Sequence, residues 1–328
     1  MWLSKRPLSR QIIRHALRLR YGAALGHAQD WTPHLRIILP QGNEPGEAYY
    51  RNRPLTRLLA FEDFQAMTGD ACGIVGSGPS LRRQRLDRLR DHALVYLNGA
   101  VCRIMPDADH PPLVAVEDER FIWRHFDMLR KHVDEPTGLL LSVAALRAIA
   151  EIDARWLRDR RVFLINNLLK PYGAPRRHIG CPELKEVVEG EGAAALSLCP
   201  QTGVVPAGTV ALTAMQWVMA RRPVEIGFAG IDLSNADEPR FYEANGRKAK
   251  SGIRAGSDRI LAHFASAIRR CQARGMRLAT YSRVSALRGL GVAYDSKLDD
   301  ACGQPPAALA TRQSGRPKPA TANSGGRA

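Results

Sequence analysis

Ala71-Cys72-Gly73-Ile74-Val75-Gly76-Ser77-Gly78-Pro79-Ser80-Leu81 is the stretch on which the fold turns. An apolar run of strand length ends in a Gly-Ser-Gly-Pro-Ser turn, and helical spacing follows from Leu81 to Leu89. Glycines permit close backbone approach, Ser77 and Ser80 offer hydroxyls, and a following helix N-terminus favours an anion. The turn therefore reads as a phosphate or nucleotide cradle. It is neither the G-x-G-x-x-G of dinucleotide sites nor the G-K-[ST] of a Walker loop. A tight strand-to-helix turn capped by Ser80 would use the same residues.

Outward from this unit the pattern repeats. Ala93 to Leu97 is a second strand ending at Asn98, and Leu113 to Val116 a third ending at Glu117-Asp118. Helical stretches run from about 120 to 132 and from 142 to 158, with apolar runs at 138–141 and 162–165. Thr209 to Arg221 is an amphipathic helix, 224–229 a strand that leads into Gly230-Ile231-Asp232, 257–274 a helix and 277–281 a last strand. Strands alternating with helices predict an α/β fold, a Rossmann-like, mostly parallel sheet with helices on both faces in a single main domain. Its expected extent is 71–302. Residues 35–70 read as a connector that holds one short strand at Leu35–Leu39, residues 1–34 as a basic amphipathic segment, and 303–328 as a disordered basic tail with almost no large apolar residue.

With 328 residues, 45% of them hydrophobic, the chain can bury a sizeable core, and its net charge of +16 implies an anionic partner. Six cysteines stand far apart, without metal-ligand spacing, and read as buried thiols. No apolar run is long enough to span a bilayer and none behind the start resembles a signal peptide, so a cytoplasmic location is expected. No helix-turn-helix, aromatic platform or zinc module accompanies the basic residues, so nucleic acid is not the expected partner.

The first segment carries Lys5, Arg6, Arg10, Arg14, Arg18 and Arg20 with no acid before Asp30. In a helix Arg6, Arg10, Arg14 and Arg18 form one stripe, with Ile13, Leu17 and Ala24 on another face. That pattern suits the inner-membrane surface, and equally a solvated helix or an organelle transit peptide.

Gly76 to Leu81, the strand ending in Asn98, Gly208-Thr209 at a helix start and Gly230-Ile231-Asp232-Leu233 together resemble the bacterial sialyltransferase-like glycosyltransferase superfamily, which is shared with pterin pyrophosphokinase-like proteins. The resemblance covers about 71–285. It implies a donor site for a CMP-activated acidic sugar, of sialic acid or Kdo type, lined by Gly76, Ser77, Gly78, Pro79, Ser80, Asn98, Gly208 and Thr209. Glu117 and Asp118, at the neighbouring strand end, join that list. The implied acceptor is lipopolysaccharide or another anionic glycolipid, the location cytoplasmic and peripheral on the inner membrane, and no cofactor or metal is required because CMP leaves as a phosphate monoester. The Asp107-Ala108-Asp109 triplet reads as a turn.

In that family tyrosines after the Gly-Ile-Asp strand stabilise the leaving phosphate and a later histidine is the base. This chain departs at Ser77, where the family commonly has Asn, and at Ser234, and has no histidine between His178 and His263. Asp232, Tyr242 and His263 are the candidate catalytic residues, with Glu117 and Glu243 open as alternatives for the base. The segment between Asp232 and Asp258, with Arg240, Arg247, Lys248, Lys250 and Arg254, suits a lid closing on an anion or an ordinary surface loop. A pyrophosphokinase reading would need ATP and Mg²⁺ on Glu117, Asp118 and Asp232.

Overall fold

The computed structural model describes residues 7–27, 34–234, 239–243 and 256–299. In chain order it has α1 (Leu8–Leu25), β1 (Leu35–Ile38), β2 (Gly46–Tyr50), β3 (Arg53–Leu58), α2 (Phe61–Ala66), β4 (Ala71–Val75), β5 (Ala93–Leu97) and β6 (Leu113–Val116). These are followed by α3 (Glu119–His132), β7 (Gly138–Ser142), α4 (Val143–Asp153), β8 (Arg161–Ile165), the short pair β9 (Val188–Glu189) and β10 (Leu196–Ser197), and α5 (Val210–Arg221). Last come β11 (Glu225–Ala229), α6 (Ser257–Ala273), β12 (Arg277–Thr280) and β13 (Ala293–Tyr294).

All strands but β9 and β10 form one sheet in the order β1-β2-β3-β8-β7-β6-β5-β4-β11-β12-β13, parallel from β3 onward and antiparallel from β1 to β3. Strands β4 to β7 are near-continuous apolar runs because both their faces are covered. One face packs Val75, Tyr96, Val114 and Leu141 against α3 and α4; the other packs Ile74, Val95, Ala115 and Leu140 against α2, α5 and α6. The α/β sheet covered on both faces is the expected class. Asp118, Ser142 and Thr209 each accept a backbone N–H at the start of α3, α4 and α5, and at Asp118 and Ser142 the polar residue at a strand end also opens the next helix.

Residues 35–70 are not a connector. Leu35–Leu39 does carry a strand, but 46–58 form a hairpin that joins the sheet through Leu58, paired with Val162 on β8. Its turn places Arg51 and Asn52 at φ 51° and 59°, the two-residue geometry that matches strand twist. Phe61 and Phe64 then pack on Trp217 of α5, with ring centroids 5.8 and 5.2 Å apart. The helix expected over Leu81–Leu89 is two 3-10 turns, Pro79–Arg83 and Leu86–Leu89. Between them Gln84 is extended, and its buried amide donates to Tyr281 O (2.6 Å) and accepts from Gly230 N (3.0 Å).

The arginine stripe of α1 is also divided. Arg10 is buried in an ion pair with Glu119 (3.0 Å) beside Glu151, while Arg14, Arg18 and Arg20 are exposed. Lys5, Arg6 and the tail 303–328 lie outside the described residues.

Candidate functional site at the switch point of the sheet

After β4 the chain moves outward through β5 to β8, whereas β11, on the other side of β4, leads outward to β12 and β13. The connection leaving β4 carries Leu81, Leu86 and Leu89 onto the α3/α4 face, and the one leaving β11 carries α6 onto the opposite face. Diverging connections open a crevice at the C-terminal ends of β4 and β11, the position where open parallel sheets hold ligands.

The Gly76–Ser80 loop forms one wall, but its donors point inward. Gly76 N donates to Ala229 O (2.7 Å), Gly78 N to Gly230 O (2.9 Å) and Ser80 N to Asp232 Oδ2 (3.0 Å). Ser80 Oγ and Ser282 Oγ both donate to Asp232 Oδ1, at 2.5 and 2.6 Å. A Cβ on Gly78 would lie 2.7 Å from Gly230 O and against Asp232 Oδ2, so glycine is required there by the close approach of two loops. The phosphate-cradle reading is corrected in this respect: Gly76, Gly78 and Ser80 are engaged in tying β4 to β11, and the helix behind them is only a 3-10 turn. Asp232, 2% exposed and holding three donors, is a positioning residue that ties the loops after β4 and β12 to the end of β11.

Asn98 begins the 3-10 turn Asn98–Arg103 in the left-handed region, at φ 49°. Its Oδ1 is buried and has no hydrogen-bond partner among the described residues. Behind it Tyr242 lies so close to Gly99 that a Cβ there would overlap the ring. The short segment 239–243 is fastened to the first loop by Phe241 N donating to Ser77 O (3.3 Å) and Arg82 Nε donating to Phe241 O (3.3 Å). Tyr242 Oη accepts from Arg240 Nη1 (3.0 Å), and burial raises its pKa, so it remains a neutral phenol with a proton to donate. Of the cations read as a lid, Arg240 sits here; Arg247, Lys248, Lys250 and Arg254 lie outside the described residues.

His125 meets the edge of Tyr242 with ring centroids 5.7 Å apart, and burial, then Arg124, holds its pKa below the ordinary imidazole value. No motif marked it; only a break in α3 geometry, at φ −133°, sets it apart.

Glu117, at the end of β6, accepts from Thr213 Oγ1 of α5 (2.9 Å). Burial pushes its pKa up, opposed by the Thr213 hydrogen bond. Asp118 plays a different part from the one expected of it: it caps α3 through Arg120 N (2.9 Å) and pairs with the Arg120 side chain. The three acids that an Mg²⁺ reading required are thus each held by a different partner, and no group of three potential metal ligands gathers among the described residues.

The opposite wall is the N-terminus of α5. Gly208, at φ 90°, precedes Thr209, whose Oγ1 accepts from Ala211 N (3.3 Å), and the first turn has no acid. Arg259 of α6 stands over it: a Cβ on Gly208 would lie 2.6 Å from Arg259 Nη2. Helix-terminal N–H groups and a guanidinium together make this the electropositive, anion-binding pole of the crevice. Sequence spacing could not reveal Arg259, which arrives by packing of α6 on α5. His263, 2% exposed, is bonded through Nδ1 to Arg259 O (2.8 Å) within its own helix, and burial lowers its pKa. It packs beneath Arg259 instead of facing the crevice, which corrects its place among the catalytic candidates.

No family model matches the chain, and no curated protein matches it. Among solved structures the chain is similar to a glycosyltransferase, MAf from Magnetospirillum magneticum AMB-1, with a TM-score of 0.40, 13% identity, and 71% of this chain covered against 34% of that one. The chain thus spans about a third of the length of that structure.

Proposed function

We propose that this chain is a glycosyltransferase that moves an acidic sugar, of sialic acid or Kdo type, from a CMP-activated donor to lipopolysaccharide or another glycolipid, by metal-independent single displacement. The observation that carries the reading is the meeting, along the first turns of α5, of an electropositive, anion-binding pole at Gly208, Thr209 and Arg259 with the desolvated Glu117 carboxyl held by Thr213. The α5 N-terminus and Arg259 would hold the phosphate of CMP, Asn98 Oδ1 would accept from an N–H or hydroxyl of the nucleotide, and Tyr242 would donate to the departing phosphate. Glu117 as carboxylate takes the proton of the acceptor hydroxyl as its oxygen bonds to the anomeric carbon. The bond from that carbon to the phosphate oxygen breaks, and its electron pair leaves with CMP.

Thermal melting with CMP, CDP, UDP and ATP, with and without Mg²⁺, tests the reading. At about 100 times Kd, a ligand selective for the native state adds about 2.7 kcal/mol, a shift of roughly 4–5 °C for a domain of this size. CMP is expected to give that shift in the presence of a chelator. A response to ATP with Mg²⁺ and none to CMP would overturn the proposal.

A further inference from the structure

The three most exposed large apolar side chains among the described residues all belong to α1: Leu8 (77%), Ile12 (69%) and Leu19 (88%). At about 100° per residue they fall within about 40° of one another, on a single stripe. The opposite face holds the helix to the body. Arg10 pairs there with Glu119, Ile13, Leu17 and Tyr21 are half-buried, Arg176 N donates to Ala24 O (2.9 Å) and His27 Nε2 meets Pro171 O (3.1 Å). The stripe that faces outward is therefore not the side on which α1 packs.

Charge decides what can cover it. Arg18 and Arg20 lie about 100° to either side of the stripe, where long side chains can bury their stems and keep their guanidinium groups at a polar boundary. Arg14 follows on the Arg18 side, next to Lys170 and Arg176, and no acid occurs before Asp30. A second copy of the chain would set these arginines against each other under a net charge of +16 on each partner. A surface that is apolar inside and anionic at its boundary satisfies both halves of the pattern.

We propose that α1 is an in-plane anchor on anionic phospholipid bilayers, with Leu8, Ile12 and Leu19 entering the interface and Arg14, Arg18 and Arg20 taking headgroup phosphates. Arg10 pairs with Glu119 at the start of α3 and lies beside Glu151 of α4, so α1 is fastened to these helices by the face opposite the stripe. The anchor stands apart from the catalytic reading and is tested apart from it.

Co-sedimentation of the full chain is compared on vesicles of phosphatidylcholine alone and of phosphatidylcholine mixed with phosphatidylglycerol. Binding is expected only to the mixed vesicles, weakening as salt rises. Arg18→Gln and Arg20→Gln should each lower the partition about fivefold. The triple variant Leu8→Ser, Ile12→Ser, Leu19→Ser should lower it at least roughly tenfold with an unchanged melting temperature. Ile12→Trp should raise it, with none of the protein pelleting when vesicles are left out. Equal binding to neutral vesicles, no loss in the triple variant, or no gain in Ile12→Trp overturns the proposal. A dimer in solution that the triple variant dissolves would overturn it too, assigning the stripe to a second copy.

Discussion

Asp232 and Glu117 are both carboxylates at strand ends, and their surroundings give them different work. Asp232 receives Ser80 N, Ser80 Oγ and Ser282 Oγ, enough donors to hold its charge out of water. Asp232→Asn presents an NH₂ where a donor must be accepted, so a loss of about 2–4 kcal/mol is expected in urea unfolding at neutral pH, with the loop pair of β4 and β11 loosened. Glu117 accepts from Thr213, and burial raises its pKa. The folded state therefore holds this proton more tightly than the unfolded state, and stability falls as pH climbs from the ordinary glutamate value through the raised one. Glu117→Gln removes that slope. Its stability relative to the parent should grow with pH across this window, by at most about 1.4 kcal/mol per pH unit, and level off above it. Melting curves over a pH series read this directly, and a flat difference would show that Glu117 is not desolvated. If Glu117 is the base, the same variant lowers turnover by roughly 10²–10⁴-fold. Sequence alone marked both positions, because polar residues ending apolar runs are visible in it. It could not sort them, since the partners that do so, Ser80, Ser282 and Thr213, stand far away along the chain.

At the scale of elements, α1 shows how a periodic pattern can be seen and still be misread. The four-residue spacing of arginines is real, yet Arg10 turns inward because Glu119, at the start of α3, and Glu151, in α4, meet it there. Removing one partner of a buried pair leaves the other charge uncompensated, so Arg10→Ala is expected to lower stability by about 3 kcal/mol. Arg18→Ala, on an exposed position, should change it by less than about 0.5 kcal/mol. Equal effects of the two in chemical denaturation would mean that α1 is not docked as described. The same limit explains the two 3-10 turns after Ser80. The apolar spacing from Leu81 to Leu89 favours a helix, but Gln84 is drawn out of it by partners on β11 and after β12. Where tertiary hydrogen bonds oppose local spacing, the spacing loses.

At the scale of the molecule, the α/β alternation becomes regular only from residue 71, and the sequence pattern sets the boundary of the folded unit there. The hairpin before it carries little sequence signal: its Arg51-Asn52 turn lacks glycine, and Pro54 sits inside β3. Yet Leu35, Ile37, Leu55 and Leu58 enter the same core layer as α3 and α4, and Phe64 enters the opposite layer. Each such side chain contributes roughly 1.5–3 kcal/mol on burial, so these five together supply about 8–15 kcal/mol as an upper bound. Whole domains are stable by only about 5–15 kcal/mol. A fragment of residues 71–302 would also leave the edge of β8 without the cover of β3, an invitation to pair with other chains. Such a fragment is therefore expected to aggregate or to show no cooperative melt, whereas the full chain unfolds in one transition. Near-ultraviolet circular dichroism and calorimetry of the two would decide the matter. A fragment that melted cooperatively near the temperature of the full chain would restore the boundary at 71 and make β1 to β3 an appendage.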